Sequence, residues 1–532
     1  MAAGAVTTTL GTAEHGTASK WLVTASVMLG TFLSVMDVSV VNVAMPHMMG
    51  NFGEDLLTIT WVSTSYSIAE IIMITMAPWW TTLLGRKRLF LLSMAVFTAA
   101  SILAGTAQTF HQIILYRVVQ GIGGGSLIPV SQAIARETFP PAEQGMAMAI
   151  FAMGVTLAPA LGPVVGGWLV DNYGWPWVFY LNVPFAIAGL LMVSAFVHDP
   201  PYLKRGIERI DWTGIALLTI GLTAMQIVLE RGEEVDWFAS HWIIAGTVLA
   251  AGGLIALAVW ELVSSEPVIN FRLFRNLQLS AGSGLGAMIG FVLYGSSFVL
   301  PQLTQDLLGY SAYQAGMVLL PRAAAMFLMM PIVGRLYNYV SPRVLVTGGL
   351  LAVALSQWWL GHIALYAGFW TIATPLVVLG AGLSLPMVTL STVSLSSMPR
   401  AQMTGASSLY TLARRVAGNI AYAALATLID RRTQFHRSRL IEGVTGLDPN
   451  YLRSSADFTA RLMHFGYNSA ATSDRSLAMV SALVNRQSTM MAYNDINWLV
   501  AMMTLAVLPF VLLLPRRRPD HTAPKQASAP SD

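Results

Sequence analysis

Apolar stretches long enough to cross a lipid bilayer recur fourteen times along this chain, the first at 21–45 and the last at 496–515. About 20 apolar residues carry a helix across the hydrocarbon core, and a helix satisfies its own backbone there without water. The chain is therefore predicted to be an all-α membrane protein with fourteen transmembrane helices. Composition agrees: 55% of residues are hydrophobic and 11% charged, against about 25% charged in soluble domains. The first stretch is too long for the core of a signal peptide and is read as helix 1.

Charge sets the expected orientation. With the N-terminus in the cytoplasm, the inner segments hold seventeen lysines and arginines, while the short outer loops hold Arg231 alone beside Glu54, Asp55, Asp171, Glu233, Glu234 and Asp236. That asymmetry obeys the positive-inside rule. An even number of spans returns the C-terminus, with Arg516, Arg517 and Arg518, to the cytoplasm. One segment runs against the rule: residues 430–495 fall outside and contain eight arginines. Loops beyond about 60 residues translocate largely regardless of charge. Within it, Phe458, Leu462, Met463, Phe465, Leu477, Val480 and Val484 suggest helical extensions of spans 13 and 14, serving as a docking surface for a partner or as a self-packed cap.

The predicted organisation follows. Residues 1–19 form a disordered tail, 20–197 a six-helix bundle, 198–211 a basic linker and 212–262 an inserted hairpin with an acidic turn, Glu230 to Trp237. A second six-helix bundle spans 278–515, including the loop 430–495, and 516–532 is a tail. Two halves around a cavity suit alternating access, with substrate near the midplane.

Ionisable residues inside spans are costly and are functional candidates by default. Asp37 lies about 24 Å along helix 1 and Arg117 about 9 Å into helix 4 from its outer end. The two sit at similar depth and are expected to pair directly or through water. Either the pair orients two helices, or protonation of Asp37 frees Arg117 and switches the open face. Glu70 falls near mid-membrane, on one helix face with Ser63, Tyr66 and Ser67. It is a second proton site, a counter-charge for cations, or a neutral carboxyl between helices. Arg414 and Arg415 lie mid-span in helix 13, about 100° apart, so at most one points into the cavity centre.

The chain has no cysteine, which excludes disulfides, thiolate chemistry and cysteine-bound metal. Histidines are scattered and no zinc motif or catalytic cluster stands out, so neither a metal site nor an enzyme is expected. A net charge of +4 spread over short loops gives no basic stripe for nucleic acid. Gly121-Ile122-Gly123-Gly124-Gly125 lies inside an apolar span without a preceding strand, so it reads as a packing face rather than a phosphate loop. Gly154, Ala158, Gly162 and Gly166 recur every four residues in helix 5, a smooth face for close helix approach. Pro159 and Pro163 add kinks. This contact can act as a seal between the two halves, or be plain helix packing by the same physics without gating.

Several motifs coincide with those of a known family. Met36-Asp37-Val38-Ser39-Val40-Val41-Asn42-Val43-Ala44-Met45-Pro46 stands close to L-D-x-T-I-V-N-V-A-L-P. Arg117-Val118-Val119-Gln120-Gly121-Ile122-Gly123 stands close to R-x-x-Q-G-x-G, and Gly162-Pro163-Val164-Val165-Gly166-Gly167 matches G-P-x-x-G-G. Trp175 to Pro184, the hairpin turn and Ala492-Tyr493-Asn494-Asp495 also fit. With these, the chain resembles the fourteen-helix drug:proton antiporters of the major facilitator superfamily, and among them the inner-membrane permeases of Gram-negative tripartite pumps. The resemblance covers nearly the whole chain. It departs after helix 2, where G-x-L-A-D-R-x-G-R-K keeps Gly85-Arg86-Lys87 but has Pro78, Thr82 and Leu83 in place of glycine, aspartate and arginine. Ala149 and Ala158 stand where the antiporter motif favours glycine.

The resemblance implies the major facilitator superfamily fold, two six-helix bundles plus an inserted two-helix hairpin. It implies proton-driven export of hydrophobic or cationic drug-like compounds from the bacterial inner membrane, with the proton gradient and no cofactor as energy source. A periplasmic adaptor and an outer-membrane channel become the expected partners. Asp37 and Arg117 carry over as proton-coupling residues, beside Glu70 from its burial. Tyr66, Ser67, Gln120, Asn182, Gln302 and Arg414 are the candidate substrate cavity, Arg414 matching a family arginine. Gly154, Ala158, Gly162, Pro163, Gly166 and Gly167 form the gating motif. The alternative is a narrow exporter of a metabolite, fatty acid or siderophore working without an adaptor.

Overall fold

The computed structural model describes residues 17–199, 210–265, 267–443, 449–464 and 469–516. Residues 1–16, most of the linker with Lys204, Arg205 and Arg209, Phe465, and the tail beyond Arg516 lie outside the described residues.

Among the described residues, fourteen long helical rods occupy the fourteen apolar stretches. The first half comprises α1 (Thr17–Phe52), α2 (Trp61–Leu84), α3 (Arg86–Gly105), α4 (Phe110–Thr138), α5 (Gln144–Tyr173) and α6 (Trp177–Phe196). The hairpin is α7 (Trp212–Arg231) and α8 (His241–Val263). The second half comprises α9 (Leu277–Leu307), α10 (Ala312–Leu336), α11 (Pro342–Leu360), α12 (Phe369–Ser396), α13 (Met403–Gly443) and α14 (Ser469–Ala506). Local chemistry sets several ends. Gly85, at φ 83°, breaks α2 from α3 where a side chain would be strained. Capping boxes at Thr109 with Gln112 and at Ser311 with Gln314 start α4 and α10.

Among the described residues, thirteen helices are long and apolar enough to cross a membrane, and α13 is not one of them. Ser407, Ser408, Thr411, Arg414, Arg415 and Asn419 interrupt its apolar surface. It is nonetheless held between α9 and α14 and against α2, so its polar groups meet protein. By contrast α8 exposes Val248, Ile255 and Val259, as a helix facing lipid does.

Three cores explain the arrangement. One is built by α1–α6 around Leu33, Val40, Phe90 and Phe97. A second gathers α9–α14 and takes in Phe151 and Val155 of α5. The third fixes the hairpin: Leu218 and Leu222 of α7 and Leu257 of α8 pack with Ile71 and Met76 of α2 and Met403, Ala406 and Leu409 of α13. The hairpin therefore sits on the seam between the halves.

The described residues between 430 and 495 are helical and extend α13 and α14, as the apolar pattern suggests. The helix α13 runs unbroken to Gly443, and α14 starts at Ser469, well before the expected 496. Asp495 ties them by accepting from Arg432 at 2.9 Å and meeting His436 at 2.7 Å. A short helix, Pro449–His464, leans on α14 through Ser455 and Ser476, 3.2 Å apart. Phe458 and Leu462 are half-buried, whereas Met463 and Leu477 stay exposed.

Candidate functional site

A buried ion pair organises the first half. Arg117 donates through Nη1 to Asp37 Oδ2 at 2.5 Å, and both side chains are fully shielded. The pairing is direct. Gln120 and Asn182 donate to the other carboxylate oxygen at 2.8 and 2.9 Å. Arg117 also donates from Nε to the Val62 carbonyl at 2.9 Å and from Nη1 to Gln120 at 2.7 Å, and its guanidinium stacks over the Tyr66 ring at 4.2 Å. Three helices, α1, α4 and α6, thus converge on one carboxylate, and α2 holds its arginine. Arg117 Nη2 has no hydrogen-bond partner among the described residues, an exception among buried polar groups.

The glycine run of α4 lets this cluster form. A Cβ at Gly121 would meet the Tyr66 carbonyl at 2.5 Å, and one at Gly123 would meet the Phe97 nitrogen at 2.5 Å. The run is the packing face expected, pressed between α2 and α3.

A second ion pair joins the halves. Arg415 of α13 binds Glu70 of α2, whose side chain is 1% exposed, and reaches the Tyr294 hydroxyl at 3.3 Å. Glu70 lies about 14 Å along α2 from Trp61, and Arg415 about 18 Å along α13 from Met403, which places both near mid-membrane. Arg414 turns away instead and is 9% exposed, its guanidinium 5.7 Å from the Tyr410 ring. The 100° between neighbouring helix positions decides which arginine reaches the seam, and sequence reasoning did not single out Arg415.

Further cross-half bonds lie on one side of that pair. Arg86 donates across the seam to Thr404 Oγ1 at 3.1 Å and to the Arg400 carbonyl at 3.0 Å, and within its own half to Glu137 at 2.5 Å. Arg136 donates to the Thr392 carbonyl at 3.0 Å, Ser407 donates to Gln132 at 2.6 Å, and Ser408 bonds the Ile74 carbonyl. All gather at the end where α1 begins. The loop after α2 departs from its family pattern, yet its surviving Arg86 is 2% exposed and holds both halves.

The glycine stripe of α5 meets a neighbour inside its own half. A Cβ at Gly166 would meet Val40 atoms of α1 at 3.1–3.3 Å, and one at Gly162 would meet the Ser39 backbone at 3.3 Å. Gly154 faces Met28 of α1, and Ala158 is buried in the first-half core. Gly154, Ala158, Gly162 and Gly166 therefore pack α5 on α1 inside the first half, with Pro163 in the same helix and Gly167 within 4.0 Å of Val43. Of the two readings, plain helix packing matches these contacts and the seal between the halves does not: a straight row of small residues spaced by four faces one neighbour, and that neighbour is α1. The close crossing to the second half comes at the very start of α5, where a Cβ at Gly145 would meet the Gly334 carbonyl of α10 at 2.8 Å.

The other candidate cavity residues do not share one surface. Tyr66, Gln120 and Asn182 are enclosed around Asp37 and Arg117. Ser67 is half-buried on α2. Gln302 lies at the far end of α9, where it accepts from Tyr493 at 3.5 Å. Arg322 is satisfied inside the second half by Ser296 at 2.8 Å and Ser297 at 3.1 Å.

Comparisons with known proteins bear on this arrangement. The sequence profile of the Major Facilitator Superfamily matches residues 27–422. The chain is 33% identical over 492 residues to the multidrug export protein EmrB of Escherichia coli K12, covering 92% of this chain and 94% of that protein. It is 31% identical over 503 residues to the fatty acid resistance protein FarB of Neisseria gonorrhoeae, covering 94% and 96%. Among solved structures, the human organic anion transporter MFSD10 superposes with a TM-score of 0.61 at 14% identity, covering 92% of this chain and 99% of that one.

Proposed function

The chain belongs to the major facilitator superfamily and is a multi-pass membrane transporter of the multidrug-export type, and from that premise we propose that it exports hydrophobic or amphipathic compounds in exchange for protons. The observation that carries this reading is the Glu70–Arg415 pair across the two halves. Alternating access requires the halves to separate along this seam, and a mid-membrane ion pair resists separation while both groups are charged. A proton on Glu70 removes one charge and releases Arg415. Proton binding and seam opening then become one event, which is the linkage an antiporter needs. Asp37 and Arg117 form a second, enclosed pair whose carboxylate is held by two amides as well. Its role is to keep α1, α2, α4 and α6 moving as a unit and to exchange a proton when that cage opens.

The basic end is assigned to the cytoplasm by the charge asymmetry, and both termini with it. The cross-half bonds of Arg86, Arg136 and Gln132 gather at that end, which supports a central path closed toward the cytoplasm. The bacterial inner membrane is the proposed location. The protruding helices between Asp430 and Asp495 are assigned to a periplasmic adaptor that leads to an outer-membrane channel. The narrow-exporter alternative has less support, because the relatives of higher identity are multidrug export proteins.

Reconstituted protein tests the coupling. With Glu70→Gln, exchange of a lipophilic cation at equal pH is expected to continue while accumulation driven by a pH gradient stops. Full gradient-driven accumulation by that variant contradicts the assignment of Glu70.

A further inference from the structure

The inserted hairpin carries a chain of polar groups that nothing above uses. Glu230, the penultimate residue of α7, is half-buried and lies beside the Thr64 side chain of α2, whose hydroxyl donates to the Thr60 carbonyl at 3.2 Å. Gln226, one turn earlier and 1% exposed, donates its Nε2 to Glu230 Oε1 at 2.5 Å. Because the amide nitrogen is committed to the carboxylate, the amide oxygen faces the other way. It accepts from Asn419 Nδ2 of α13 at 2.6 Å. The hydrogen-bonded chain Glu230–Gln226–Asn419 ties α7 to α13, and at its other end Glu230 sits against Thr64 of α2, so α7 links one half of the protein to the other.

The position of this link is what gives it meaning. Asn419 is four residues from Arg415 and shares its helix face, and Thr64 precedes Glu70 on α2. Arg415 lies close enough to act on Glu230 electrostatically, as does Arg231 on Glu230's own helix. Two neighbouring anchors hold α7 in place: Arg231 Nη2 donates to Thr60 Oγ1 at 2.8 Å, and Trp237 Nε1 donates to Thr427 Oγ1 at 2.8 Å. The third core glues the same helix from its apolar side.

We propose that Glu230 is a positioning residue for the Glu70–Arg415 pair, setting the spacing of α2 and α13 one turn beyond it through Gln226 and Asn419. This rests on the reading of Glu70 as a proton-coupling carboxyl. A carboxylate at 230 fixes the Gln226 amide in the orientation that Asn419 needs. A neutral amide at 230 can present either end to Gln226, so the orientation is no longer enforced. With that spacing loosened, Arg415 parts from Glu70 without waiting for a proton, and substrate movement uncouples from proton movement.

The experiment compares Glu230→Gln and Gln226→Leu with the parent in proteoliposomes loaded with a fluorescent lipophilic cation. Both variants are expected to keep equal-pH exchange within about twofold and to lose about tenfold in gradient-driven accumulation, a change worth 1.4 kcal/mol. Glu230→Asp, which restores the carboxylate, is expected to recover most of the accumulation. A merely structural role for α7 lowers exchange and accumulation together and is not rescued by aspartate; that result overturns the proposal. So does unchanged accumulation in both variants. Glu70→Gln in parallel separates the two readings: if it uncouples transport and the α7 variants do not, only the positioning role falls, and if it stays coupled the reading of Glu70 falls first.

Discussion

Glu70 of α2 and Arg415 of α13 join the two halves of the transporter near mid-membrane, while the adjacent Arg414 turns toward Tyr410 within the second half. Two arginines of identical chemistry therefore have different tasks. Arg415→Gln is expected to lower gradient-driven export at least about tenfold, equivalent to 1.4 kcal/mol, with Arg414→Gln closer to the parent. Accumulation assays on the two variants side by side check this, and the reverse order contradicts it.

The enclosed pair predicts a stability asymmetry. Asp37→Asn keeps a hydrogen-bonding group for Gln120 and Asn182 but leaves the Arg117 guanidinium buried without counter-charge. Breaking one partner of a buried pair costs about 3–5 kcal/mol, whereas removing both is often far milder. The thermal midpoint in detergent is expected to fall sharply for Asp37→Asn and to recover in part for Asp37→Asn combined with Arg117→Met. Equal or additive losses would show that the two residues are not coupled.

Two glycines of α5 distinguish packing inside one half from packing between halves. Gly166→Val drives a side chain into Val40 of α1, a clash of the overpacking kind that costs about 1–3 kcal/mol. Its expected effect is a lower thermal midpoint with the cross-half contact intact. Gly145→Val meets the Gly334 carbonyl and is expected to weaken closure of the basic end. Cysteine labelling reads both, since the parent chain has no cysteine to remove: Thr404→Cys becomes more reactive with Gly145→Val and not with Gly166→Val.

The hairpin turn responds to pH. Glu233 lies outside the spans, and partial burial together with Asp430 and Glu234 pushes its carboxyl above the usual range. The folded state then binds its proton more tightly than the unfolded state, so this group favours folding at low pH and opposes it once ionised. Glu233→Gln is expected to raise the thermal midpoint slightly at neutral pH and to leave it unchanged in acid. A gain that persists or grows in acid contradicts the repulsion.

The protruding helices give a partner test. Deleting residues 440–485 is expected to abolish co-purification with an adaptor while substrate binding persists. Undiminished capture contradicts docking there.

Much of this was legible in the chain. Apolar length placed the rods, charge asymmetry marked one end as basic, and the depth of Asp37 and Arg117 foretold their meeting. What stayed hidden depends on which face each residue presents to which neighbour. The stripe Gly154 to Gly166 announces close packing, but spacing alone does not name α1 as the neighbour. Tyr66 and Glu70 share a helix face, yet one is enclosed under Arg117 and the other crosses to the second half. Glu230 reads as part of an acidic surface turn, and only the packing of α7 on the seam brings it to Thr64. The unusual polarity of α13 was the available signal: a span with two arginines and an asparagine must meet partners in protein.

Substrate-dependent proton movement across sealed proteoliposomes tests the central claim most directly. Adding a transported lipophilic cation on one side, with no other gradient, is expected to drive protons in the opposite direction, and Glu70→Gln to abolish that flux while exchange of the cation continues. Cation transport at the parent's full rate with no accompanying proton flux would contradict the account.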